Sequence, residues 1–190
     1  MADELADPTA STAVLKALAN PLRRAIMRAL LRLESARATD LSRELDVPAN
    51  KLSFHLRALA AADLIREDPS LARDKRDRVW APAPRNINIG SPEHPVEDEA
   101  LGLAAIHGIV DDHLALVTRT AAWSMEYVTG RQTEEHAMFA HTNVRLTTEE
   151  FERLNERLLE VINEFREAHD ASAGDTHLYE IDIIAADETV

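Results

Sequence analysis

The three residues Asp46-Val47-Pro48 constrain the fold of this chain most tightly. They break a helical pattern into two short pieces. Before them lies a short amphipathic run with Leu41 and Leu45 inward and Thr39 placed to cap it. After them, a run from about Ala49 to Ala62 puts Leu52, His55, Leu56 and Leu59 on one face. Proline ends a helix because it has no N–H and clashes with the preceding turn. Two short helices joined so abruptly must cross at a steep angle and share one core.

Upstream, Ser11 to Ala19 carries Val14, Leu15 and Leu18 at helical spacing. Asn20-Pro21 then starts a second helix, with Asn capping exposed N–H groups and Pro at the first position. That helix runs to about Leu33. Its inward stripe is Leu22, Ile26, Ala29, Leu30 and Leu33, and Arg23, Arg24, Arg28 and Arg32 read as a solvated face. Downstream, Leu64-Ile65-Arg66-Glu67 and Arg78-Val79-Trp80-Ala81 read as strands. The polar stretch from Asp68 to Asp77 leaves room only for a long hairpin tip.

Net charge is -13, which taken whole disfavours nucleic acid. The distribution reverses that inference. Residues 11–90 carry 15 Lys+Arg against 9 Asp+Glu, whereas residues 91–190 carry 6 against 22. A basic module on an acidic body presents phosphate-binding charge locally, since charges beyond a Debye length of about 8–10 Å are screened. The stretch 86–96, with Gly90, Pro92 and Pro95, reads as a linker between a domain at 11–85 and another at 97–190.

The second half opens with a helical pattern from Glu97 to about Thr129 that includes Gly102 and Gly108. Each glycine costs about 1 kcal/mol in a helix unless close packing uses it. His136 to Leu146 and His177 to Ala185 read as strands. Between them, Thr147 and Glu150 form a capping box before a helix with Phe151, Leu154, Leu158, Val161, Ile162 and Phe165 on one face. The expected fold class is mainly α with small β elements: a winged helix-turn-helix followed by a helical C-terminal domain with a few strands.

The outer face of the helix 49–62 holds Asn50, Lys51, Ser53, Phe54 and Arg57. Asn50, Ser53 and Arg57 share one stripe by their spacing. In a major groove, Asn and Arg bond bidentately to adenine and guanine, and Phe54 suits a thymine methyl. Arg73, Lys75, Arg76 and Arg78 on the hairpin suit phosphates.

Four segments carry a family resemblance: residues 18–26 (LANPLRRAI), 40–45 (DLSREL), 52–59 (LSFHLRAL) and 62–65 (ADLI). In this order and spacing they resemble the DNA-binding domain of ArsR-type regulators, over roughly residues 12–83. Asp63 stands where that family often has Gly. The resemblance implies a homodimer on a palindromic operator, with repression released by a ligand.

The family's habit of metal sensing does not transfer well. The chain has no cysteine, which excludes disulfides and thiolate metal sites. His107, Asp111 and His113 offer one half of a helical site, but Trp123 and Ser124 stand where its partner pair belongs. No metal and no cofactor is therefore expected. A small-molecule effector is the better candidate, with Trp123, Tyr127, Phe139 and Tyr179 as candidate pocket lining. The alternative for these four is ordinary core. His55, on the leucine face, reads as structural.

No Gly-rich phosphate loop or nucleophile elbow appears, so an enzyme is not expected. The polar, acidic N-terminus is no signal peptide, and no apolar run was expected to reach bilayer-spanning length. Cytoplasmic residence without membrane contact is the expectation. Two alternatives stay open: a winged-helix module that binds protein instead of DNA, and a small-molecule-binding protein without DNA-binding activity.

Overall fold

The computed structural model describes residues 10–72, 78–83, 87–169, 174 and 176–190. It divides into two compact units, Met1–Leu116 and Val117–Val190.

The first unit opens with α1 (Thr12–Leu18), capped by the Ser11 hydroxyl, and α2 (Pro21–Leu33). Asn20 caps α2 as expected, its Oδ1 accepting from the Arg23 N–H at 3.1 Å. A two-residue strand, β1 (Ala36–Arg37), leads into α3 (Ala38–Leu45). Thr39 was expected to cap α3, but the helix starts two residues earlier, at Ala38. Its cap is Arg37, whose backbone N–H donates to Asp40 at 3.1 Å. Asp46, at φ 52°, ends α3 in the left-handed region, and α4 (Ala49–Ala60) follows Pro48.

Strands β2 (Ile65–Glu67) and β3 (Val79–Pro82) complete an antiparallel sheet in the order β1-β3-β2. Ala36 faces Trp80 across one pairing, and Arg66 faces Ala81 across the other. A 3-10 turn, Pro69–Leu71, follows β2 where only a loop was expected. Val14, Ile26, Leu30, Leu41, Leu52, Leu56 and Leu59 are the large, fully buried side chains. This is a winged helix-turn-helix core: each short helix contributes one apolar stripe, and the sheet closes the side they leave open.

Two positions on α2 depart from the sequence reading. Leu33 is exposed. Arg24, read as solvated, is the buried charge of the core, its side chain 8% exposed. Its Nη1 donates to the Leu18 carbonyl at 2.8 Å and its Nε to Asp112 Oδ2 at 2.9 Å. Asp111 lies 3.9 Å from Nη2, and Arg28 binds the other Asp112 oxygen at 2.6 Å.

Asp112 belongs to α5 (Glu99–Val128), which begins in the first unit and ends in the second. Gly108 lets the Arg24 guanidinium lie against this helix. A Cβ there would come within 2.2 Å of Nη1 and 2.9 Å of the Leu18 carbonyl oxygen. Gly102 similarly admits Val96, whose Cγ2 would stand 3.0 Å from an added Cβ. Residues of the expected linker also touch this core: Ile87, Ile89 and Val96 pack against it, and Asn88 accepts from the Ala10 N–H at 2.8 Å.

Contrary to expectation, α5 is long and apolar enough, by length and composition, to cross a membrane. Within it, Asp112 is paired with Arg24 and Arg28 of α2.

The second unit contains the rest of α5 and α6 (Thr148–Ala168). Thr147 and Glu150 form the expected capping box: the Glu150 N–H donates to the Thr147 hydroxyl at 3.2 Å, and Glu150 accepts from the Thr147 N–H at 2.8 Å. Residues 136–146 and 177–185 do not form the expected strands. Their alternation is present, but a strand is defined by a hydrogen-bonded neighbour, and none of the described residues supplies one.

Gly108→Ala tests the close approach. The gain in helix propensity is about 1 kcal/mol, but displacing Arg24 strands partly buried charge, so a net loss of about 2 kcal/mol is expected. Gly102→Ala, facing only a valine methyl, should cost less. Equal chemical-denaturation midpoints for the two variants would contradict this account.

Candidate nucleic-acid interface

α4 has two opposed faces. Leu52, Leu56 and Leu59 are fully buried. Asn50, Lys51, Phe54 and Arg57 stand outward, with Phe54 61% exposed. Asn50 and Lys51 occupy the first turn of α4. The Asn50 Oδ1 accepts from the Lys51 N–H at 2.8 Å, which leaves its amide donors directed outward in role. Arg57 Nε donates to the Ser53 carbonyl at 3.2 Å and lies along the helix. Neither Lys51 nor Arg57 pairs with a carboxylate among the described residues.

Ser53 is less available than its spacing implies. It is half-buried, and its hydroxyl donates to the Ala49 carbonyl at 2.9 Å. One lone pair can still accept.

Between α4, the start of α3 and β3 lies an open cleft of about 370 Å³. Arg37, Thr39, Ser53, Arg57, Arg78 and Trp80 line it. The sequence reading assigned Ser53, Arg57 and Arg78 to the interface but omitted Arg37 and Thr39. The signal of Arg37 was weak, because the two-residue β1 is too short to show a pattern, and Thr39 was read as a helix cap. Arg78 leans toward Glu67 at 3.7 Å. Arg73, Lys75 and Arg76 lie outside the described residues.

His55 is half-buried on α4, edge-on to Phe54 at 5.5 Å between ring centroids. Its Nδ1 is buried without a hydrogen-bond partner. Burial, with the charges of Arg23 and Lys51, holds its pKa below the ordinary histidine value.

The candidate effector residues fall together only in part. Trp123 stacks on Tyr127 at 4.9 Å, and contacts at 5.8–6.5 Å continue through His136 and His177 to Tyr179. The two histidines were not anticipated. Phe139 is 69% exposed and outside this chain of rings. Of the candidate metal ligands, Asp111 is near Arg24, and no group of three or more ligating side chains forms among the described residues.

Residues 18–68 match a family model described as a helix-turn-helix domain, about a quarter of the chain. A comparison with curated proteins finds no match. Among solved structures, a transcriptional regulator homologue from Pyrococcus horikoshii OT3 is 22% identical, covering 51% of this chain and 87% of its own, with a TM-score of 0.33. The apo C30AH42A mutant of Lactococcus lactis ZitR is 16% identical, covering 80% and 83%, also at 0.33. TM-scores this low do not establish a shared fold.

Folding favours neutral His55. An unfolded chain takes up a proton below about pH 6.5 that the folded chain resists, so this group's contribution falls as pH drops through that range. His55→Gln should therefore lose less stability than the parent between pH 7.5 and pH 5. Identical losses, measured by denaturant midpoint, would refute the assignment. Phe54→Ala should change stability little, whereas Leu56→Ala should cost about 2–5 kcal/mol.

Proposed function

We propose that this chain is a sequence-specific, double-stranded DNA-binding transcriptional regulator of ArsR type, acting as a homodimeric repressor in the cytoplasm. The observation that carries the reading is the outward face of α4, where Asn50, Lys51, Phe54 and Arg57 project from a helix whose Leu52, Leu56 and Leu59 are buried. The matched helix-turn-helix model covers this segment.

In this reading α4 enters the major groove, α3 braces it, and the wing residues Arg73, Lys75, Arg76 and Arg78 meet phosphates. Lys51 contributes positive charge, and Ser53 a single acceptor. The acidic domain at 97–190 carries dimerisation and effector response. Support for dimerisation comes from α6: Phe151, Leu154, Leu158, Val161 and Phe165 follow a 3-4-3-4 spacing, and all are exposed. Such a narrow apolar seam suits packing against another helix. The ring cluster of Trp123, Tyr127, His136, His177 and Tyr179 is the favoured place for an organic effector to act.

Selection from random duplexes, followed by titration, tests the function. Affinity should fall steeply between 50 and 200 mM salt, about 0.9 log per log for each phosphate neutralised. Arg57→Ala should relax base preference by about 1–3 kcal/mol at one position, whereas Arg76→Ala should weaken all sequences alike. A pure chain without salt-sensitive duplex binding would overturn the proposal in favour of a protein-binding winged helix.

A further inference from the structure

We propose that α6 pairs antiparallel with α6 of a second copy of this chain, in full overlap, so that Phe151 of each protomer stands level with the partner's Ala168. The inference rests on the homodimer reading, not on DNA binding, and supplies the orientation and register of the pair.

α6 is 21 residues long, and none of them is buried. A helix in water is held mainly by packing of its apolar face, more than by its own propensity. The capping box fixes where α6 begins, but the seam of Phe151, Leu154, Leu158, Val161 and Phe165 is exposed along its whole length. Ala168 continues the same spacing by one step and is exposed too. Alternating steps of three and four residues are the repeat by which two helices interlock side by side.

Side-chain size selects the register. Antiparallel helices in full overlap set Phe151 against the partner's Ala168, Leu154 against the partner's Phe165, and Leu158 against the partner's Val161. Each contact occurs twice about the two-fold axis. Large side chains thus face smaller ones, which is how a helical core fills evenly. A parallel pair would instead stack each phenylalanine on its own copy and leave Ala168 facing the partner's Ala168.

Charge selects the same arrangement. One flank of the seam carries Glu150, Arg157 and Glu164. Residues at such flanks set the orientation of paired helices. In full overlap Arg157 lies beside the partner's Glu164, and Glu164 beside the partner's Arg157. Sliding by one heptad would set Arg157 against the partner's Arg157 and Glu150 against the partner's Glu164. In a parallel pair Arg157 would fall beside the partner's Ile162 and gain no partner. The other flank holds Asn155 and Ile162, both half-buried and uncharged, and they meet each other across the axis. In the single chain Arg157 pairs with Glu160 of its own helix at 2.7 Å, but both side chains are exposed. Such a pair is worth little, so exchange for Glu164 of a second copy is not opposed.

The chain has no cysteine, so introduced cysteines report the geometry directly. In the antiparallel pair the two copies of position 151, or of position 168, lie about 25 Å apart along the axis. Phe151→Cys and Ala168→Cys, each in the full chain, should therefore not cross-link alone under mild oxidation. Their equimolar mixture should give a disulfide-linked dimer. Sedimentation equilibrium measures the strength. Arg157→Glu should raise the dimer dissociation constant about tenfold, and adding Glu164→Arg should restore it. Glu160→Gln should not weaken the dimer. Leu158→Asp should raise the constant about a hundredfold or more. If each cysteine variant cross-links alone and mixing adds nothing, α6 pairs in parallel and the proposal is overturned. If Leu158→Asp dissociates the dimer but the mixture does not cross-link, the seam meets another element of the second copy, and self-pairing is overturned. If the parent is a dimer indifferent to Leu158→Asp and to both charge changes, the seam is refuted and the homodimer reading stands on another surface. If the parent is monomeric at millimolar concentration, both fall.

Discussion

Arg24 is the interaction on which the rest of the first unit depends. It grows from α2, accepts no hydrogen bond, and must spend its donors inside the protein. It reaches the carbonyl at the end of α1 and the Asp112 carboxylate on α5. A buried guanidinium is costly unless its donors are used, so α1, α2 and α5 are fixed together by one side chain. Lysine could not substitute, since a single ammonium cannot reach both acceptors in the planar geometry of the fork. Gly108 is the complementary requirement, because any side chain there occupies the space of the guanidinium.

This arrangement explains why the basic half of the chain is not uniformly a DNA surface. Arg24 and Arg28 are consumed by Asp112, Arg32 by Glu44, and Arg43 by Asp40. Of these pairs, the one with Asp112 lowers the positive balance of residues 11–90, because its carboxylate lies outside that span; the other two already cancel within it. Lys51 and Arg57, on the outward face of α4, stand outside these pairs among the described residues. Placement, more than total charge, separates structural from interfacial arginines.

The helices of the first unit were legible because local rules and tertiary packing agree there. Asn20-Pro21, Asp46-Val47-Pro48 and the leucine stripe of α4 each had one satisfactory reading. Asp63 was singled out because the resembled family often has Gly at that place, and it adopts φ 54°. Arg24 was not legible, because an amphipathic count sends every charge outward; its partner lies 88 residues away. β1 was missed since two residues have no period. The candidate site was partly legible: the outward stripe of α4 follows from helical spacing, but Arg37 joins it only through β1–β3 pairing. Residues 136–146 and 177–185 show the opposite failure, where a period-2 pattern exists without a neighbouring strand.

The acidic second half gives the proposed regulator a further property. It reduces the attraction of the whole molecule to arbitrary duplex. Non-specific binding comes almost entirely from phosphate charge, whereas base contacts act only at the right sequence. A molecule of net charge -13 with a small basic face thus weakens the first term more than the second. In the proposed reading, discrimination rests on a few side chains of α4, and the buried leucines of α4 hold that helix in place.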